Sequence, residues 1–235
     1  MAQARRKPSG RDGAEGATPS SELRVIGGKY RGAKLSFELH EQLGKPSGGA
    51  KQGKESLVTR PMKHRTREAI FNLVGPAIKG THAVDLFAGT GALGIEAISR
   101  GSASALFIER HVPMSRVVEQ NIGSVGLDSQ CEVLVTSAFL WSKRDLPAMG
   151  DESKARPWVV FVSPPYEFFV KRQQEMLDLI GALAEHAPAG SMLVVEADAR
   201  FDFEQLPGGV RPDRHSDGWD VREYSPAVVG MLTLA

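Results

Sequence analysis

The feature that most restricts the fold of this chain is an alternation in its second part. Runs of about 5 to 8 apolar residues recur there, separated by stretches whose apolar positions fall at helical spacing. The runs predict strands near residues 83–87, 104–109, 131–136, 158–163, 191–196, 219–224 and 227–233, and the intervening stretches predict helices near 91–100, 112–123 and 171–186. A strand that returns parallel to its predecessor needs a long crossover, and a helix in each crossover covers the sheet on both faces. The expectation is therefore an α/β fold with a mostly parallel seven-stranded sheet. Only Ser225-Pro226 separates the last two runs, too little for a crossover, so they are expected to form an antiparallel C-terminal hairpin at a sheet edge.

Charge divides the chain at about the same place. The total is nearly balanced, 29 Lys+Arg against 28 Asp+Glu, but residues 1–70 hold 15 basic and 7 acidic groups, and the remainder holds 14 and 21. A basic front implies an anionic partner. Residues 1–21 are rich in Gly, Pro, Ser and charge and have little to bury, which predicts a disordered basic tail. Residues 22–75 then read as a small basic N-terminal unit, with 76–235 as a second, larger domain. In that unit residues 23–39 alternate around Gly27-Gly28 as a hairpin carrying Arg24, Lys29, Arg31 and Lys34, with Tyr30 either closing it or free to stack on a base. Residues 41–56 form a flexible loop, open to two readings, a nucleic-acid contact or a passive insertion. From Thr59 the pattern places Ala69, Ile70, Leu73 and Val74 on one helical face, with Arg65, Arg67 and Glu68 in the first turns. Residues 143–157 read as a surface loop.

Several classes are set aside by composition. The apolar runs fall short of the ~20 residues a membrane span needs, and the N-terminus lacks the apolar stretch of a signal peptide, which points to the cytoplasm. The single cysteine, Cys131, reads as a small core residue, and the scattered histidines lack metal-ligand spacing, so no metal is expected. Trp141, Trp158 and Trp219 read as packing residues.

Two stretches carry chemistry. Val84-Asp85-Leu86-Phe87-Ala88-Gly89-Thr90-Gly91-Ala92-Leu93-Gly94 is a strand entering a glycine-rich turn and a helix, an arrangement that brings backbone close to a ligand and aims free N–H groups at it. That spacing serves dinucleotides and adenosylmethionine alike. Asp85 suits an ammonium better than a pyrophosphate, and Glu109, ending the next strand, suits a ribose in either class. The second stretch is the strand Trp158-Val159-Val160-Phe161-Val162 running into Ser163-Pro164-Pro165-Tyr166. Two consecutive prolines stiffen the turn and remove two donors, so it presents oxygens and an aromatic ring. The Ser163 hydroxyl and Pro164 carbonyl can accept from an exocyclic amine while Tyr166 stacks on its base.

Together these motifs resemble the class I adenosylmethionine-dependent amino-methyltransferases. Arg24–Gly32, Arg60-Pro61 with Arg65, Arg67, Glu68, Phe71 and Asn72, and Leu86–Arg100 resemble the bacterial small-subunit ribosomal RNA guanine-N2 methyltransferases of the RsmD type, from about Leu23 to the C-terminus. The resemblance implies a Rossmann-like class I methyltransferase fold, acting as a monomer on 16S ribosomal RNA, either free or within a small-subunit assembly particle. It implies S-adenosylmethionine held by Asp85, Phe87, Ala88, Gly89, Thr90, Gly91 and Gly94, with Glu109 and Arg110 beyond the next strand and Ser137 and Ala138 near the adenine. Ser163, Pro164, Pro165 and Tyr166 would face the target guanine. Arg24, Lys29, Arg31, Arg60, Lys63, Arg65 and Arg67 would form the RNA-phosphate face, Arg60 and Arg67 having the cofactor pocket as an alternative.

The chain departs from that pattern twice. Members usually carry Asp where this chain has Ser163, and Met62-Lys63-His64 replaces the usual Thr-Thr-Asp. Other readings also fit parts of the sequence: an adenine-N6 methyltransferase shares Ser-Pro-Pro-Tyr, an RNA-binding relative with weak turnover fits Ser163, and a nicotinamide-dependent reductase fits the glycine loop alone.

Overall fold

The computed structural model describes residues 23–37, 64–150 and 155–235. The 1–21 tail, the 41–56 loop, Arg60 and Lys63 lie outside the described residues.

The alternating runs form one seven-stranded sheet among the described residues. Five strands are parallel: β3 (His82–Asp85), β4 (Ser104–Ile108), β5 (Cys131–Leu134), β6 (Trp158–Val162) and β7 (Met192–Asp198). The last two, β8 (Asp220–Tyr224) and β9 (Ala227–Thr233), form the expected antiparallel hairpin, and β9 lies between β7 and the edge strand β8. The order is β5-β4-β3-β6-β7-β9-β8, so the chain leaves β3 toward one side and later returns to its other side. That reversal opens a crevice at the carboxyl ends of β3 and β6, where open α/β sheets bind ligands.

Strand residues alternate strictly between two cores. Ala83, Phe107, Val159, Phe161 and Val194 face one, and Val84, Leu106, Val160, Val162 and Val195 face the other. The first core is covered by α1 (His64–Val74), α2 (Ala92–Arg100) and α3 (Val112–Val125) through residues such as Ile70, Ile95 and Val118. The second is covered by α4 (Ala138–Arg144) and α6 (Gln173–His186) through Trp141, Met176 and Leu183, with Phe169 from the short α5 (Glu167–Lys171). Each such side chain taken out of water contributes about 1.5–3 kcal/mol. All three tryptophans are fully buried.

Several local expectations are corrected. The helix expected near 171–186 forms as α6 (Gln173–His186), with the short α5 unforeseen before it, and the loop expected from residue 143 begins inside α4. The hairpin does not turn tightly at Gly27-Gly28. Its strands β1 (Leu23–Arg24) and β2 (Lys34–Leu35) are two residues each, and a longer connection between them lies against α2. Lys29 N donates to Ser99 O (2.7 Å), Tyr30 N to Ser99 Oγ (2.9 Å), and Ser99 Oγ to Gly27 O (2.5 Å). Gly28 is there because nothing larger fits: its φ is +75°, and a Cβ would stand 1.8 Å from Ser99 O. Leu23, Val25 and Leu35 enter the first core beside Ile70 and Phe71, so the N-terminal segment and the sheet share buried surface.

Candidate active site at the carboxyl ends of the strands

The glycine-rich turn leaves β3 and feeds α2. Asp85, the last residue of β3, is 1% exposed, and its carboxylate accepts from Gly94 N (3.1 Å). Burial pushes its pKa up to about 7, opposed by the Gly94 N–H and reinforced by Glu109. In place of the expected open ammonium ligand, the structure shows a brace beneath the loop, because the side chain faces α2 rather than the crevice. Gly94 permits this close seating, since a Cβ there would meet the Phe107 ring at 2.3 Å.

Glu109, just past β4, borders the turn and is partly exposed. Its Oε2 accepts from Gly89 N (2.9 Å) and its Oε1 from His111 N (2.8 Å), tying the ends of β3 and β4 together. Arg110 is exposed; Ser137 and Ala138 stand where β5 gives way to α4. Phe87, Ala88, Thr90 and Gly91 complete the turn, with Asn121 of α3 donating to Thr90 O at 2.8 Å. Of the two acids only Glu109 is partly exposed at the turn, and its carboxylate suits a hydroxyl or cationic group there better than a pyrophosphate.

Across the switch point, β6 ends in the Ser163–Tyr166 turn. Pro164 is buried, Pro165 exposed, and Ser163 and Tyr166 are partly exposed. Both hydroxyls are spoken for by a residue that sequence reasoning missed: Ser163 Oγ donates to Glu196 Oε2, and Tyr166 OH donates to Glu196 Oε1 at 2.6 Å. Glu196 is 4% exposed on β7; burial raises its pKa, while the two hydroxyl bonds hold it back. Burial and the Glu196 carboxylate raise Tyr166 as well. The available signal was parity: Met192 and Val194 face the first core, so the next residue on that face, at the end of an apolar strand, is an acid.

A second omission is aromatic. The rings of Phe87, Phe139 and Phe168 stand 6.0 to 6.1 Å apart, and the Arg172 guanidinium lies 4.0 Å over Phe139 and 5.1 Å from Phe168. This wall closes the second-core side of the crevice.

The basic residues separate into two groups. Lys29, Arg31 and Arg65 are exposed, and Arg24 is partly buried, with Nη1 donating to Gly32 O at 2.9 Å. Arg67 is corrected as an RNA contact: it is 1% exposed, its Nη2 donates to Arg24 O (2.5 Å), and burial lowers its pKa against the opposing field of Glu96. A guanidinium inside the core cannot reach a phosphate. Its Nε and Nη1 lack hydrogen-bond partners among the described residues.

A parallel sheet reversed at β3 and β6, a glycine turn beside an acidic strand end and a Ser-Pro-Pro-Tyr turn define the class I methyltransferase fold. Solved structures share it. A hypothetical protein from Thermus thermophilus superposes with TM-score 0.62 at 21% identity, covering 90% of this chain and 99% of that one. An RNA methyltransferase from Salinibacter ruber, in complex with S-adenosyl-L-homocysteine, gives TM-score 0.52 at 18% identity over 74% and 93% of the two chains. Residues 23–217 match the family described as Conserved hypothetical protein 95, and the chain belongs to that family, the RsmD-type ribosomal RNA methyltransferases. Ribosomal RNA small subunit methyltransferase D of Escherichia coli K12 is 28% identical over 189 residues, 80% of this chain and 81% of that protein. The protein of that name from Haemophilus influenzae is 30% identical over 161 residues, 66% and 71% of the two chains.

Proposed function

We propose that this protein transfers a methyl group from S-adenosylmethionine to the exocyclic N2 amine of a guanine in small-subunit ribosomal RNA. The observation that carries the reading is the pairing of the glycine turn with the Ser163–Tyr166 turn across the β3/β6 reversal, where acidic groups meet a ring and acceptor oxygens. Adenosylmethionine, when bound, supplies a methyl group on a positively charged sulfur. What supports such a ligand is the partly exposed Glu109 carboxylate, which suits ribose hydroxyls, and the glycine turn, which allows close backbone approach.

The chain's own part is positioning, which converts an encounter of two reactants into an internal step. Pro164 O and Ser163 Oγ accept the amine's hydrogens, favouring a pyramidal nitrogen whose lone pair is free to attack. Tyr166 stacks on the base and fixes its plane. The nitrogen becomes acidic once alkylated and loses its proton to water without a strong base. Lys29, Arg31 and Arg65, with Arg60 and Lys63, supply phosphate contacts, which give nucleic-acid affinity but not the choice of base.

The test is methyl transfer from isotopically labelled adenosylmethionine to small-subunit RNA, offered free and within subunits, followed by nucleoside mass spectrometry. The expected product is N2-methylguanosine. N6-methyladenosine would move the assignment to the adenine-directed relatives, and no transfer to either RNA form would overturn it.

A further inference from the structure

Glu196 is a carboxylate in an expensive place. Its pair of hydroxyl donors leaves its charge uncompensated, and neither lysine nor arginine contributes to its field among the described residues. Its β9 neighbour in register is Val229, and the nearest charged group along β7 is Asp198, which acts on Tyr166 and is itself held by Arg200 at 2.7 Å. A buried carboxylate without a cation costs stability unless something positive arrives. The two groups that hold it are those assigned above to the target amine.

We propose that Glu196 is a positioning residue for that amine, acting through Ser163 and Tyr166. Because Ser163 gives its only hydrogen to Glu196, both lone pairs of its oxygen are left to accept from the amine. The carboxylate thus stands one hydrogen bond behind the nitrogen that gains positive charge. Tyr166, anchored to the other oxygen, cannot rotate its hydroxyl away, so the stacking ring keeps one orientation. In the transfer, the nitrogen lone pair forms the new N–C bond and the C–S pair remains on sulfur as a neutral thioether. The surplus N–H proton then leaves to water. Glu196 stabilises the charged stage by a field preorganised before the base arrives. Its carboxylate thereby does through Ser163 what Asp at position 163 would do directly. The inference rests on the proposed amine methylation.

The test uses the full chain and small subunits from cells lacking the gene. Glu196→Gln, which keeps the shape but must turn an N–H toward one hydroxyl, should lower kcat by roughly 10- to 100-fold. Affinity for adenosylmethionine, read by calorimetry, should stay within about twofold and folding should be retained, since a buried charge is removed. In the wild type kcat should rise with pH as Glu196 ionises, and this limb should be absent in Glu196→Gln. The decisive variant is the double substitution Glu196→Gln with Ser163→Asp, which returns a carboxylate in direct reach of the amine and should recover at least about fivefold of the lost kcat. A Glu196→Gln variant with wild-type kcat and pH profile, or a double variant no faster than the single one, would overturn the role of Glu196 and leave the methylation standing. A wild-type protein inactive on every small-subunit RNA would sink the proposed function itself, and this role with it.

Discussion

Among the described residues two glutamates are buried, and they are used in opposite ways. Glu96 of α2 is 0% exposed and fully compensated: Ile26 N (2.6 Å), Gly27 N (2.8 Å) and Arg100 Nε (2.7 Å) all donate to it, and its field reaches Arg67. Glu196 of β7 is 4% exposed and has two hydroxyls. The first carboxylate binds the N-terminal hairpin to α2, and every donor it needs comes from the fold. The second is left short of positive charge at the one place where the proposed chemistry generates some. Glu96 has its counter-charge built into the fold, whereas no cation acts on Glu196 among the described residues.

The sharpest way to break this contrast is Glu96→Ala. It strands Arg67 and Arg100 in or near the core, and urea unfolding should show a loss of about 3–5 kcal/mol. Glu196→Gln should unfold no more easily than wild type. Equal losses in the two variants would erase the distinction.

Asp85 tests a third arrangement, a buried acid satisfied by backbone alone. Its carboxyl keeps its proton up to about pH 7 in the folded chain, whereas the unfolded chain releases it near 4. The folded state therefore holds more protons between those values, and stability should fall as pH rises from about 4 to about 7. Asp85→Asn should remove up to a few kcal/mol of this slope, seen in urea midpoints across that range.

Smaller effects belong to the substrate side. Tyr166→Ala should cut methyl transfer by about 10- to 100-fold, on the scale of one lost base stack, while adenosylmethionine affinity stays unchanged in a titration. Unchanged transfer would remove Tyr166 from the site. Arg65→Ala should weaken RNA binding only a few-fold and reduce the salt slope by about 1, whereas a full loss would mean that Arg65 reads more than a phosphate.

These contrasts also show why some of the molecule was legible in one dimension. The strands and most of the helices were, because alternation and helical spacing are written within a few neighbouring residues. So was the placing of Gly89–Gly94 and Ser163–Tyr166 at strand ends, since glycine and proline act on their own backbone. Arg67 was misread because a charge on the first turns of a helix looks solvent-facing until its partners, the Arg24 carbonyl 43 residues earlier and the Glu96 field, are in place. The aromatic wall escaped for a related reason: Phe87 comes from the turn after β3, Phe139 from α4 and Phe168 from α5, and only folding brings the rings together.

The amino-acid sequence alone determined the class of fold, the family and the two turns that face each other, because these depend on local periodicity and on residue-specific backbone chemistry. Only the tertiary structure decided which carboxylates are compensated. Ser163 and Glu196 lie 33 residues apart, and Ile26 and Glu96 lie 70 apart. The cost of a buried charge is set by whatever folding brings beside it, and that neighbourhood exists only once the sheet has closed over its helices.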